Sequence, residues 1–332
     1  MRLTKTMLPA ILSAAGVALC AVLSLALGSR NVGLTDVAGA LFGADQGLFD
    51  ALIVRERIPR TVFSIIAGAS LGVSGALMQA ITRNPVADPS VLGVNTGAAL
   101  FVVIGIAFFR ISTAGQYIWF ALAGAAATAV FVYRIGSMGR GGATPIKLAL
   151  AGAATSAALS SLVSAVILPR TDVMQAFRFW QVGSVGGATW QGILTVAPFL
   201  AVGLLGGMLA APALNALALG DDVATGLGVR TGLVRMAGAL AGVLLCGATT
   251  ALAGPIGFVG LMIPHTMRLI CGPDLRSIIP MSAIGGAMLL TIADVIGRFV
   301  GRPGELEAGI VTAFFGAPIL ILIAMKAKVR AL

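Results

Sequence analysis

The sequence predicts an all-α polytopic membrane protein with about ten transmembrane helices. Composition is the first reason: of 332 residues, 58% are hydrophobic and only 10% are charged, whereas soluble domains carry about 25% charged residues. Run length is the second. The apolar stretches extend for roughly twenty residues, the length that a helix rising about 1.5 Å per residue needs to cross a hydrocarbon core of about 30 Å. Their texture is the third, because a stretch such as "GILTVAPFLAVGLLGGMLAA" (192–211) lacks the alternation of a membrane-barrel strand.

Reading the apolar runs between charged and Pro/Gly punctuation places the spans at 7–27, 61–80, 92–109, 116–133, 146–168, 190–210, 231–252, 255–271, 280–299 and 307–325. The first follows the basic start "MRLTK". It is longer than the usual 7 to 15 residues of a signal core and reads as a retained helix. The second and third are separated by "TRNPVADPSVLGVN" (82–95), a polar hinge with an Asn-Pro, an Asp-Pro and a Gly-Val-Asn in succession. Proline there removes a backbone donor and biases its predecessor away from helix. Between the sixth and seventh spans lie about twenty residues, 211–230, where a connector needs about two to eight. Asp221 and Asp222 suit the opening of a short helix. This segment reads as an interfacial helix pair receiving a cytoplasmic partner, or else as an elaborated loop. The least marked break is "LAGPIGFVG" (252–260); without it, nine spans would put the two ends of the chain on opposite sides.

The formal charge of +10 does not indicate nucleic acid, since the basic residues lie scattered at the ends of apolar runs rather than on one soluble face. With ten spans and an inner N-terminus, 13 of the 22 Lys and Arg residues fall in inner segments, so the positive-inside rule favours both termini in the cytoplasm. Among the outer nine, Arg55, Arg57 and Arg60 sit in "RERIPR" at the mouth of the second span, and Arg298 and Arg302 at the end of the ninth. Two readings stay open. Long basic side chains snorkel to headgroups, and the planar arginine fork also suits docking to an acidic partner. Asp294 is an acid within the ninth span; Arg298, one turn later on the same face, favours a local ion pair.

Small residues crowd "AGASLGVSGALMQA" (67–80) and "LALAGAATSAALSSLVSA" (148–165). They permit close helix packing or line a wide neutral path, and the sequence does not separate these. Cys20, Cys246 and Cys271 are far apart, with no C-x-x-C spacing and no histidine cluster, which supports neither a disulfide framework nor a metal site. The phosphate-loop pattern G-x-x-x-x-G-K-S/T is missing from the sequence, so the chain is not expected to hydrolyse ATP itself.

Four separated segments resemble, in order and spacing, the iron-chelate and cobalamin permease family of ABC importers: "RIPRTVFSIIAGASLGVSGALMQAITRNPVADPSVLGVNTGA" (57–98), "FRFWQVGSVGGATW" (177–190), "GPIGFVGLMIPHTMRLICGPDLRSIIP" (254–280) and "ADVIGRFVGRPGELEAGIVTAFFGAPILI" (293–321). The resemblance runs from about residue 50 to the C-terminus. It implies a type II ABC importer permease fold in a bacterial inner membrane, with two permease subunits around one pathway. An ABC ATPase dimer that binds ATP and Mg would lie beneath, and an extracytoplasmic binding protein would deliver the cargo. The second permease would be a paralogue or another copy. No cofactor is expected on this chain, and nucleic acid is not an expected partner.

Carried over by motif, the resemblance makes Asn84 and Val86, with Thr144 and Pro145, the cytoplasmic gate. It makes Arg57, Arg60 and Arg298 docking residues for the binding protein. It makes Leu219, Gly220, Asp221, Asp222, Ala224, Leu227 and Gly228, within 213–229, the ATPase coupling site. The stretch "ALNALALGDDVATGLGVR" (213–230) further resembles the ferric-siderophore branch, particularly catecholate (enterobactin-type) permeases. Glu307 departs from the family's usual proline after "GEL" and adds an acid near Arg298 and Arg302. The competing readings are a haem or cobalamin importer of the same fold and an ion-coupled secondary transporter. The latter would need paired intramembrane acids or a broken-helix ion site, for which Asp294 is the mid-chain candidate.

Overall fold

The computed structural model describes residues 2–42, 49–85, 87–139 and 144–326. Side chains are described from Ser13 onward within these ranges, except at 91, 114, 145, 179, 322–324 and 326. The described residues form thirteen α-helices and one 3₁₀ turn. In order these are α1 (Arg2–Ala26), α2 (Leu34–Phe42), α3 (Phe49–Thr82), the 3₁₀ turn (Pro89–Leu92), α4 (Val94–Phe109), α5 (Ala114–Ser137), α6 (Pro145–Ile167) and α7 (Thr171–Gln181). Then come α8 (Trp190–Ala218), α9 (Asp221–Gly226), α10 (Thr231–Ala253), α11 (Val259–Cys271), α12 (Leu275–Val300) and α13 (Ala308–Lys326). A helix lies at each of the ten expected spans, and α2, α7 and α9 are additional. Among the residues whose side chains are described, six helices are long and apolar enough to cross a membrane, and α1, α4, α11 and α13 each contribute a shorter apolar helical stretch.

Local chemistry sets the helix ends. Thr144 caps α6 by accepting from the Lys147 amide at 3.4 Å, with Pro145 in the first turn where its missing N–H costs nothing. Thr189 caps α8 through the Gly192 amide at 3.2 Å, and Asp274 caps α12 through the Arg276 amide at 2.9 Å. The weakly marked break after the seventh span is real. α10 stops at Ala253, Gly254 takes φ 72°, and Phe258, also in the left-handed region at φ 69°, starts α11. The Ser184 amide donates to the Ala253 carbonyl at 2.7 Å, so the opened backbone is answered from the segment after α7.

Two boundaries differ from the sequence reading. The second span is only part of α3, which begins at Phe49; "RERIPR" therefore lies within a helix, with Pro59 inside it, rather than at a mouth. The segment 211–230 is not a connector throughout, because α8 runs on to Ala218 with Pro212 inside it, and Leu214 and Leu217 are fully buried. Burial of that apolar face outweighs the breaking tendency of one proline. Only the last part of the segment turns and forms α9.

α3 is the central element. Of its most apolar window 78% is buried, and it packs on α12, α10, α11, α8 and α1. The sequence allows this because Gly68 and Gly72 lie against Gly286 and Ser282 of α12, and Gly75 lies against Gly260 of α11. A Cβ at any of the three would stand closer than 3.0 Å to a backbone carbonyl of the facing helix. Such contact brings backbones together where hydrophobic exclusion from lipid cannot. Polar side chains tie the same seams: Ser64 and Thr291 hydroxyls lie 3.0 Å apart, and Gln79 Nε2 donates to the Leu261 carbonyl at 3.1 Å. At the other extreme is α6, whose apolar window is only 6% buried.

Gly75→Leu should therefore force α3 from α11 and lower stability by about 1–3 kcal/mol or more, read as a lower thermal unfolding midpoint in detergent. Gly115→Ala, where a Cβ meets nothing within 4 Å, should leave the midpoint unchanged or raise it.

Candidate functional site

Three constellations gather the polar groups of the bundle. The first lies where α1 ends, α3 begins and α12 ends. α1 has no basic residue in its last turn, so its final carbonyls need partners from elsewhere. Arginines of α3, of α12 and of the turn after α12 supply partners there and just beyond the end of α1. Arg57 donates to the carbonyls of Leu25 at 2.8 Å and Arg30 at 2.6 Å. Arg298 donates to the Ser24 carbonyl at 3.0 Å and to Ser24 Oγ at 2.8 Å, and Arg302 Nε to the Gly28 carbonyl at 3.0 Å. These cations also suit the negative end of the α1 dipole.

Two acids balance part of this charge. Asp294 is buried and accepts from Arg60 Nε at 3.0 Å and Nη2 at 2.7 Å, while its other oxygen lies 3.0 Å from Arg298 Nη2. Arg60 Nη1 reaches out to Glu305 at 2.6 Å. Arg57, Arg60, Arg298 and Arg302 thus face Asp294 and Glu305, four cations against two anions.

The second constellation is the hinge. Asp88 Oδ1 accepts from the Ser90 amide at 2.9 Å and starts the 3₁₀ turn, which Gly93 ends at φ 71°. Asn95 Oδ1 accepts from Thr250 Oγ1 at 3.0 Å and from Cys246 Sγ at 3.5 Å, joining the start of α4 to α10. Thr96 Oγ1 lies 3.2 Å from Ser156 Oγ, joining it to α6. Between them is a cavity of about 390 Å³ lined by Ser90, Asn95, Thr96, Ala149, Ala153 and Ser156.

The third is the elbow after α8. Gly220, at φ 116°, turns the chain into α9. Asp221 is gripped from two sides: Arg235 Nη2 lies 2.9 Å from both its oxygens, and Arg83, the residue before Asn84 in the hinge, pairs with Oδ1. Slight burial acts to raise the Asp221 carboxyl, but the hydrogen bond and charge of Arg235, followed by those of Arg83, outweigh it and hold it below the usual carboxylate range. What this pairing contributes to stability is fully present above about pH 4, the ordinary aspartate value, and is lost as pH falls through the lower folded value. Ala224 is the buried residue of α9, while Leu219, Val223 and Leu227, in and beside it, are 65%, 50% and 63% exposed.

A profile described as the FecCD transport family matches residues 16–326. The chain belongs to the FecCD transport family. The Fe(3+)-citrate import system permease protein YfmD of Bacillus subtilis is 41% identical over 306 residues, covering 92% of this chain and 91% of that protein. The ferric enterobactin transport system permease protein FepD of Escherichia coli is also 41% identical, over 305 residues and the same shares. A solved metal-chelate type ABC transporter in an inward-facing conformation superposes with a TM-score of 0.81 at 26% identity, over 95% of this chain and 97% of that one. The fold of this FecCD chain is that of an ABC transporter permease.

Within that fold the expected site residues separate. Arg57 and Arg298 are not free docking groups: they are 8% and 1% exposed, and their forks are spent on α1 carbonyls and, for Arg298, on Asp294. The Ser24 and Leu25 carbonyls in the last turn of α1 take up these donors, which is the physical reason. Arg60 alone of the three reaches the surface, through Glu305. Asp294 pairs with Arg298 as the i, i+4 spacing suggests, and Arg60 is a second partner. Val86 lies outside the described residues. Thr144 serves as a helix cap, and Pro145 follows it at the start of α6. The contacts that bring the hinge to α6 run through Thr96 and Ser156, and the Asn84 carbonyl accepts from the Ala87 amide at 3.1 Å. Asn95, Thr96 and Arg83 were not singled out from the sequence. The adjacent polar pair Asn-Thr inside an apolar run was the available signal for the first two. In the elbow, Asp221 faces inward to its arginines, whereas Asp222 is exposed.

Asp294→Asn should leave Arg60 and Arg298 without a buried counter-charge and cost about 3–5 kcal/mol. Glu305→Gln, at the exposed rim, should cost at most about 1 kcal/mol. Chemical denaturation of the two purified variants in detergent distinguishes these outcomes, and equal losses would remove Asp294 as the centre of the cluster.

Proposed function

We propose that the chain is the membrane-spanning permease subunit of an ATP-driven, binding-protein-dependent importer of a ferric siderophore of the catecholate class. The family match over 16–326 carries the transport reading, and the enterobactin relative supports the cargo. The ferric-citrate relative is equally similar, which makes citrate the competing cargo to test. The chain sits in the bacterial inner membrane with both termini in the cytoplasm. The arginine cluster then faces outward, and the hinge and α9 face inward. Its partners are an ABC ATPase dimer carrying ATP and Mg, a substrate-binding protein, and a second permease, either a paralogue or another copy. The largely uncovered α6 would face that second subunit and the pathway between them.

The binding protein docks at the rim of the arginine cluster, where its carboxylates compete with Glu305 for Arg60. Arg57 and Arg298 support the site from behind rather than by contact. The ATPase takes the exposed apolar face of α9, centred on Leu219, Val223 and Leu227, while Gly220 and Gly228 set the turns on either side. Asp221 does not touch the ATPase. It transmits movement of α9 to Arg83 and so to the hinge at Asn84 and Val86, which opens or closes against the start of α6 at Thr144 and Pro145. Cargo needs no tight site in this subunit, because access shifts through affinity that differs between states.

The decisive experiment is uptake of a ferric catecholate into proteoliposomes holding the chain with its permease partner, ATPase and binding protein. Uptake is expected only with both ATP and the binding protein, and excess ferric citrate should not compete. Uptake driven by an ion gradient without ATP would overturn the reading, whereas preferred uptake of ferric citrate would correct the cargo alone.

The α9 assignment makes a separate prediction. Val223→Asp or Leu227→Asp should weaken ATPase association roughly tenfold or more, since burying such a side chain is worth about 1.5–3 kcal/mol. Asp221→Asn should preserve association measured by co-purification and lower the cargo moved per ATP hydrolysed. Lost association in Asp221→Asn would assign Asp221 to the interface instead.

A further inference from the structure

We infer that a groove between α5 and α10 is a specific binding site for one anionic phospholipid. The cavity has a volume of about 450 Å³, within the range of ligand sites. Along most of its length it is hydrocarbon: Leu122, Ala126 and Val130 of α5 face Met236, Leu240 and Leu244 of α10. Val130, Met236 and Leu240 are large apolar side chains left exposed by the rest of the chain. The groove is polar at one end only. There Arg134 lines it with Tyr133 and Ser137, and the Arg134 guanidinium has no hydrogen bond or ion pair among the described residues.

An apolar slot closed by a single unneutralised cation is complementary to an acyl chain ending in a phosphate headgroup. The arrangement also fits the membrane in depth. Arg134 lies in the last turn of α5, and Met236, which faces the slot, follows Arg235 near the start of α10. The cation is therefore at the same end of the bundle as Asp221 and α9, the end assigned above to the cytoplasm. Basic pockets between helices on that side suit anionic headgroups, and each basic residue near them contributes affinity. A merely lipid-facing surface would have no reason to place a cation at the polar end of an apolar cavity.

The deep end gives the occupant a route to function. Leu92, the last residue of the 3₁₀ turn, lines the groove, as does Gly247, beside the Cys246 that meets Asn95. A bound acyl chain would pack against Leu92 at the end of the 3₁₀ turn and so against the hinge. This inference does not depend on the transport reading, since binding is measured without ATP, cargo or partner.

The test titrates the full-length chain in maltoside detergent with dioleoylphosphatidylglycerol or dioleoylphosphatidylcholine and counts retained lipids by native mass spectrometry. One phosphatidylglycerol per chain should be retained at about fivefold lower concentration than phosphatidylcholine, the contribution of one basic residue near an anionic headgroup. Arg134→Gln should erase that difference and Arg134→Lys should keep it. Ala126→Phe, which fills the groove from an exposed position, should reduce retention of both lipids. Ala127→Phe, its exposed neighbour outside the groove, should not. Adding sn-glycerol 3-phosphate should not displace the lipid, because the headgroup alone lacks the acyl contacts. Equal retention of the two lipids by the wild type, or discrimination that survives Arg134→Gln, would mean ordinary annular lipid and overturn the proposal.

Discussion

In the apolar interior of this bundle no backbone N–H or C=O can turn to water, so wherever a helix ends or breaks at depth the chain must answer its own polar groups. The arginine cluster, the break after α10 and the hinge follow from that constraint. At the end of α1 the answer comes from Arg57, Arg298 and Arg302. After α10 it comes from the Ser184 amide on the Ala253 carbonyl. At the start of α4 a side-chain triad of Asn95, Thr250 and Cys246 knits the broken region to α10. The conspicuous polar residues of the sequence thus have a structural task first, and any functional task is built on it.

The same constraint gives α3 its position. At 34 residues it is about 51 Å long, carries Arg57 and Arg60 near its beginning, and hands over to Arg83 and the hinge at its end. Glycines at 68, 72 and 75 seat it against α12 and α11 at backbone contact, so it is held along its length rather than at points. Close-packed interiors transmit strain rather than absorbing it. One rigid element therefore connects the arginine cluster to the residue that grips Asp221 of α9.

Much of the fold was legible because membrane insertion writes it as hydropathy. All ten apolar runs coincide with helices, and even the break at Pro255 stands where a glycine and a proline meet. What was not legible depended on tertiary partners. The continuation of α8 through Pro212 rests on burial of Leu214 and Leu217, which no local propensity shows. Asp294 and Arg298 form a pair that helical spacing reveals, but the stronger grip of Arg60 comes from 234 residues away in sequence. Arg57 and Arg298 looked like surface groups because the sequence does not show that the end of α1 would need them. The short α9 was legible from its acids, although their division of labour, Asp221 inward and Asp222 outward, was not.

That division matters for how work could pass through the chain. A coupling element that bound its engine through Asp221 would have to break its own anchor at each contact, since the carboxylate already holds two arginines. Using apolar Leu219, Val223 and Leu227 for contact leaves the anchor intact, and the anchor then carries displacement rather than affinity. The arginine cluster shows the opposite arrangement. There the outermost acid, Glu305, stands at the exposed rim on a largely buried Arg60, while Asp294 behind it is buried and keeps its charge partners. A partner's carboxylate could replace Glu305 at small cost, because exchanging one rim ion pair for another changes little free energy. Under the proposed function, docking at that end would thus be reversible while the helix ends beneath it stay fixed.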